Sequence, residues 1–263
     1  MNPYGAFLAI HFEVGGNTGS LKYQEEFWPA AIDLINMADE CNAQLTLQFN
    51  PQWAEYILND QNKLNLLRKW QQHGHEVGLH HHGYDHGDWN GYTNRPRKQD
   101  NTRFRGTARD MMKLMEQLVQ PYQLMSGTIT DEEFDYPEDI KYDTEGILIT
   151  HARSKPKWVT LGCNNKVIQV GMAFLSFEGD IESFKRGYLR SRQDEVFGVV
   201  THEKDFAKNP VIIEEWLRFI KSEGARITNV SQLITKYQNR YFIEKNDNPL
   251  TFLKDVSGTS IIQ

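Results

Sequence analysis

Short apolar runs punctuate the chain. Ala6–Phe12, Leu45–Phe49, Glu76–His82, Gln123–Ile129, Gly146–Thr150 and Val196–Thr201 are each rich in β-branched, aromatic or leucine residues. All are too short for buried helices, so each predicts a strand. Between them the apolar spacing changes to that of a helix face. Phe27, Ala31, Leu34, Ile35 and Ala38 form one such stripe, Met111, Leu114, Met115 and Leu118 a second, and Ile212, Trp216, Leu217 and Ile220 a third. Gly74 and Gly224 stand where a left-handed residue would end a helix, and Asn209-Pro210 where one would begin. Strands alternating with helices predict an α/β fold with a mainly parallel sheet and right-handed crossovers. In such sheets function gathers at the carboxyl ends of the strands.

Other segments break the alternation. Residues 87–104 are polar, carry Trp89, Tyr92, Arg95, Pro96 and Arg97, and predict a long functional loop. Residues 157–172 read as two strands around Asn164-Asn165, a hairpin. No internal repeat or domain linker is visible. Residues 1–245 are expected to form a single domain and residues 246–263 a loosely packed tail.

Composition narrows the class. With 263 residues, 39% of them apolar and 24% charged, the chain can bury the core of a globular domain. A net charge of -6 argues against a nucleic-acid binder. Cys41 and Cys163 cannot build a disulfide framework. No apolar run is long enough to span a membrane. Residues 1–12 lack a positive leading region and a small-residue cleavage site, so a cytoplasmic location is expected.

The candidate chemistry lies in the histidines. Of nine in the chain, six fall between positions 73 and 86, in HGHEVGLHHHGYDH. His80 and His82 are two apart, so a strand projects them to one face, and His81 points away from it. His86 follows in a turn or tight loop. His73 and His75 are expected to be structural. Neutral imidazoles converging at a strand end suit zinc or a similar divalent metal. His11 and Glu13 also share one face at the end of the first strand. Glu13 offers an anionic oxygen to the metal, while His11 is a further ligand or a general base. Gly15-Gly16 would let the backbone turn close to a ligand. His202, ending the apolar strand GVVTH, points into the same crevice and could protonate a leaving group.

These residues resemble the polysaccharide deacetylase family, also called the NodB-homology family or carbohydrate esterase family four. GHEVGLHHHGYDH is similar to its second motif and GVVTHEKDF to its late motif. AIHFEVGG lies where the first motif belongs, and residues 210–234 match the closing helix, glycine, strand and helix. The resemblance spans about residues 6–237. It implies a distorted (β/α)7-type barrel, a divalent metal and hydrolysis of an N-acyl group from a sugar. Carried over, Glu13, His82 and His86 become the metal ligands, His11 the base and His202 the acid. His80 remains an alternative or additional ligand, because the second motif carries two extra residues. Zinc is the expected metal, with cobalt, nickel, manganese and iron as alternatives. Two departures stand out. The first motif usually has two adjacent aspartates, replaced here by Glu13-Val14, and the arginine of the third motif has no counterpart.

A sugar or sugar-containing precursor is the expected substrate, in surface-polysaccharide synthesis such as that of O-antigen. The alternatives are a deformylase or other small-amide hydrolase, or a catalytically silent sugar binder. Trp89, Tyr92, Trp158 and Tyr188 are candidate sugar-stacking or packing residues. Arg95, Arg97, Lys98, Arg103 and Arg105 form a candidate anion-binding patch or a solvated loop.

Overall fold

The computed structural model describes residues 2–13, 21–98, 100–130, 135–162 and 164–242. Gly15-Gly16, Cys163 and the expected tail at 246–263 lie outside the described residues. Strands β1 (Gly5–Phe12), β2 (Thr46–Phe49), β3 (Glu76–His82), β4 (Ser126–Thr130) and β5 (Tyr142–Glu145) come first. Strands β6 (Arg153–Ser154), β7 (Lys157–Leu161), β8 (Asn165–Gly171), β9 (Ala173–Phe174) and β10 (Val196–His202) follow. Helices α1 (Leu21–Glu40), α2 (Pro51–Leu58), α3 (Gln61–Gln72) and α4 (Ala108–Val119) lie in the first half. Helices α5 (Ile181–Leu189), α6 (Glu203–Lys208), α7 (Pro210–Ser222) and α8 (Val230–Tyr241) lie in the second. No helix among the described residues is long and apolar enough to cross a membrane.

The sheet runs β6-β10-β1-β2-β3-β4-β5-β8-β7, and every neighbouring pair from β10 to β8 is parallel. One residue, Met172, separates β8 from β9. β8 pairs with β5 while β9 pairs with β10, so the curl comes round on itself through a ladder of only two residue pairs. This is the expected α/β barrel with seven staves, distorted where β9 is short.

Two hydrophobic clusters hold it. One fills the space between sheet and helices, with Trp28, Trp53, Leu67, Met115 and Trp216 buried in it. The other joins Phe7, Ala9, Ile168, Val170 and Val200 to the apolar face of α8. The helix stripes read from the sequence are buried as expected, with Ala31, Leu34, Ile35 and Ala38 fully shielded on α1. Gly74 and Gly224 have φ of 96° and 70°, the left-handed conformation that ends α3 and α7. The hairpin at 157–172 forms, with β7 antiparallel to β8.

One strand was misplaced by its apolar composition. β5 is Tyr142–Glu145, and Gly146–Thr150 is not a strand. Gly146, at φ 104°, turns the chain, and Ile147 and Leu148 are 69% and 57% exposed. An aliphatic run therefore sits on the surface, at the strand-end rim of the barrel.

Candidate metal and active site

Glu76–His82 pairs in parallel with β2 and β4, which buries its backbone and sends alternate side chains to opposite faces. His81 turns outward and is buried against the long loop. Its Nδ1 lies 3.0 Å from Asn90 Oδ1 and its Nε2 3.6 Å from Asp135 Oδ2. His80 and His82 face the cavity. His75 is structural as expected: its Nδ1 accepts from Leu45 N and its Nε2 meets Asp39, which also holds His73.

The first and last staves are neighbours, and their register sets His11 beside His202. The Glu13 carboxylate lies over this row. Its Oε2 is 3.2 Å from both His80 Nε2 and His82 Nε2. Its Oε1 is 2.7 Å from His202 Nε2 and 3.2 Å from Lys204 Nζ. His202 Nδ1 meets Asp205 Oδ2 at 3.0 Å, so this imidazole is held between two carboxylates. Phe174 packs edge-on against it, with ring centroids 4.8 Å apart. His11 packs on His80 with centroids 4.0 Å apart.

Burial alone would raise the Glu13 carboxyl, but hydrogen bonds from His202 and His80 outweigh it and hold the group well below the usual carboxylate range. Burial would lower His202, yet its bonds to Asp205 and Glu13 push it up to about 9. Burial and the nearby His80 push His82 down to about 3. Burial also lowers His80, and His11 falls well below its ordinary value through burial and the neighbouring His80 and His202. At neutral pH Glu13 and Asp205 are therefore ionised, His202 is an imidazolium, and His11, His80 and His82 are neutral imidazoles.

Ionised carboxylate and neutral imidazole are the protonation states that a divalent cation requires of its ligands. Among the described residues, two groups bring donor atoms within 4.8 Å of one another: Glu13 with His80 and His82, and His82 with His86 and Asp88. His11 belongs to neither. His11 Nε2 and His80 Nδ1 are buried with no hydrogen-bond partner. The metal-facing atoms are others: His80 Nε2 and His82 Nε2 converge on the Glu13 carboxylate, a nitrogen and oxygen donor set that a divalent cation takes. The residues thus fit a metal. The expected Glu13, His82 and His86 are all present, but His80 rather than His86 converges on Glu13. His86 sits one step outward, its ring 4.0 Å from that of His82.

These groups line a cavity of about 450 Å³ with Thr128, Ile147, Gln169 and Met172. Beneath it, Gln48, Thr128 and Thr144 hydrogen-bond to one another across three strands. The sequence reading missed Lys204 and Asp205. Asp205 had a local signal, since it lies three residues after His202 on the turn that opens α6.

The aromatic candidates do not line the cavity. Trp89, Tyr92 and Tyr188 are buried packing residues, and Trp89 Nε1 donates to Tyr92 O. Trp158 is exposed but lies beside Phe242, away from the site. Four members of the expected basic patch already have partners, and the Arg97 side chain lies outside the described ones. Arg95 pairs with Asp85 and Arg105 with Glu55, Arg103 donates to Trp89 O, and Lys98 lies over the Tyr84 ring.

The sequence matches no family model and no curated protein. Shape does match. A probable polysaccharide deacetylase from Pseudomonas aeruginosa PAO1 superposes with a TM-score of 0.61, covering 90% of this chain and 91% of its own at 11% identity. The fold is that of the polysaccharide deacetylases. A putative polysaccharide deacetylase from Mycobacterium smegmatis gives 0.55 over 89% and 90% at 12% identity. The Puue allantoinase gives 0.60 over 90% and 91% at 10% identity. The polysaccharide deacetylase fold is therefore shared with an enzyme named for a different substrate, and the choice between them rests on the site.

Proposed function

We propose that this chain is a metal-dependent hydrolase that removes an N-acyl group, N-acetyl in the first instance, from a sugar or sugar-containing precursor. The observation that carries the reading is the two-sided Glu13 carboxylate. One oxygen meets His80 and His82, and the other meets an imidazolium backed by Asp205.

Glu13, His80 and His82 would hold the metal, zinc being the expected one, with His86 and Asp88 as donors on the far side of His82. When bound, the metal supplies Lewis acidity toward the amide carbonyl and acidity to water. The chain's own groups divide the proton work. His11 is neutral and buried, with a free ring nitrogen, and accepts a proton from attacking water. His202 carries a proton at neutral pH and gives it to the departing amine. Asp205 fixes its orientation and keeps it charged. Lys204 offsets the negative charge gathered at Glu13.

The usual first-motif aspartates are absent, and the cation beside the carboxylate is a lysine rather than an arginine. A neutral histidine base needs no cationic partner, so the two departures agree physically. A cytoplasmic site of action and a role in surface-polysaccharide synthesis are the settings we infer for such a precursor.

The test is to measure bound metal and acetate release on N-acetylated saccharides for the wild type and His82→Ala. About one metal per chain and acetate release, both lost in the variant, are expected. A metal-free chain that releases no acid from any N-acyl sugar would sink the proposal. The allantoinase likeness motivates a second reading, hydrolysis of a small ring amide, which ring-opening without acetate or formate release would favour.

A further inference from the structure

The sequence placed its basic patch at residues 95–105, where Arg95, Lys98, Arg103 and Arg105 are occupied. The structure gathers a different set beside the cavity. A cleft of about 290 Å³ shares Glu145, Gly146 and Gln169 with the active-site cavity, so the two are contiguous at the strand-end rim. Its far wall is the segment His151-Ala-Arg-Ser-Lys-Pro-Lys157, which carries Arg153, Lys155 and Lys157 and no acid. This stands out in a chain of net charge -6.

The wall is built rather than loose. Gly198 N donates to Ala152 O at 2.8 Å, and Ala152 is fully buried. Gly171 N donates to Ser154 Oγ at 2.8 Å. A Cβ on Gly171 would lie 2.2 Å from His151 O, so glycine lets the segment lie directly on β8. Lys157 stands opposite Gln169 in the β7–β8 ladder, on the same face of the sheet. Lys155 is neutralised by Asp194, and Glu145 is the one acid on the cleft. Arg153 spends one N–H on Arg190 O at 3.4 Å, and Lys157 has no ion pair among the described residues. Arg153 and Lys157 are therefore the cations available to a ligand.

We propose that this cleft is a subsite for an anionic group, phosphate or carboxylate, carried by the substrate next to the acylated sugar. The inference rests on the deacetylase reading and names its substrate class: an anionic saccharide rather than a neutral glycan. Arg153 offers a planar fork of donors to the anion, and Lys157 a point charge.

Calorimetric binding of three probes tests it: neutral, fully N-acetylated chitotetraose, N-acetylglucosamine 1-phosphate, and an N-acetylated oligosaccharide containing hexuronate. Each is titrated into the wild type and into Arg153→Gln/Lys157→Gln. Thermal melting checks that the variant is folded, and Lys157→Glu alone serves if it is not. At least one anionic probe should bind the wild type about tenfold more tightly than chitotetraose, with the advantage lost in the variant and weakened by salt. Preference for the phosphate or for the uronate identifies the source of the anion. Equal binding of neutral and anionic probes, or an anionic preference that survives the substitutions, overturns the subsite. Acetate release, measured in parallel, reports separately on the hydrolase reading. Anion-selective binding without hydrolysis would keep the subsite and remove the activity, and hydrolysis without anion selectivity would do the reverse.

Discussion

Glu13 and His202 meet at 2.7 Å across the seam between the first and last staves of the barrel. The bond has consequences on both sides. The carboxylate is held ionised and ready for a cation, and the imidazole is held protonated up to about 9. This contact, with Asp205 on the imidazole and His80 on the carboxylate, sets the charge states of a candidate metal ligand and a candidate proton donor.

Glu13→Gln should therefore be worse than the loss of a single ligand. It removes a donor from the metal and one of the two anions that keep His202 charged, and turnover is expected to fall by about 100-fold or more. Asp205→Asn spares the donor set. It should retain metal, lose roughly tenfold in turnover and move the alkaline limb of the pH–rate profile downward. Metal content and initial rates across pH check both, and wild-type turnover in Glu13→Gln would count against the site.

Metal removal should be visible in stability. A cation that binds the folded chain alone contributes about 2.7 kcal/mol at a hundred times its Kd, or about 5–10 °C in Tm for a domain of this size. Zinc added to chelator-treated protein is expected to raise Tm by that amount, and His82→Ala should show no rise.

Glu203 gives a pH signature away from the donor atoms. It is fully buried at the start of α6 and accepts from Tyr23 Oη at 2.9 Å. Burial pushes its carboxyl up to about 8 from an ordinary 4.5. Between those values the folded chain keeps a proton that the unfolded chain has lost, so stability falls as pH rises through this window. Glu203→Gln never ionises. Its stability relative to wild type should increase from pH 5 to pH 8.5 in chemical denaturation. A difference that stays flat across that range would show that Glu203 is not held neutral.

Gly198 marks where the barrel closes tightly. A Cβ there would lie 2.2 Å from Gly171 O and 2.4 Å from the Phe7 ring. Gly198→Ala should destabilise the chain by about 1–3 kcal/mol, because backbone on one side and a buried ring on the other cannot both move aside. Urea denaturation measures it.

Local pattern carried much of the site. Alternation in β3 set His80 and His82 on one face and His81 on the other, where Asn90 and Asp135 hold it. The same period-two rule joined His11 to Glu13, and an apolar strand ending at His202 located the candidate proton donor. Local pattern failed where burial depends on remote partners. Ile147 and Leu148 have strand-like composition but form no ladder, Ile147 O taking a single bond from Phe174 N, and Gly146 turns them out to solvent. Trp89 and Tyr92 sit in a polar stretch, yet the fold buries them under their own loop.

The sequence by itself determined where most of the long strands run, which face most of their residues take, and that imidazoles and a carboxylate gather at strand ends. These follow from spacing along a regular backbone. Only the tertiary structure decided that β10 lies beside β1, so that His202 reaches Glu13, that His80 rather than His86 converges on that carboxylate, and that Arg153 and Lys157 border the cavity. Those relations depend on the order of staves in the sheet, which long-range packing chooses and no local periodicity records.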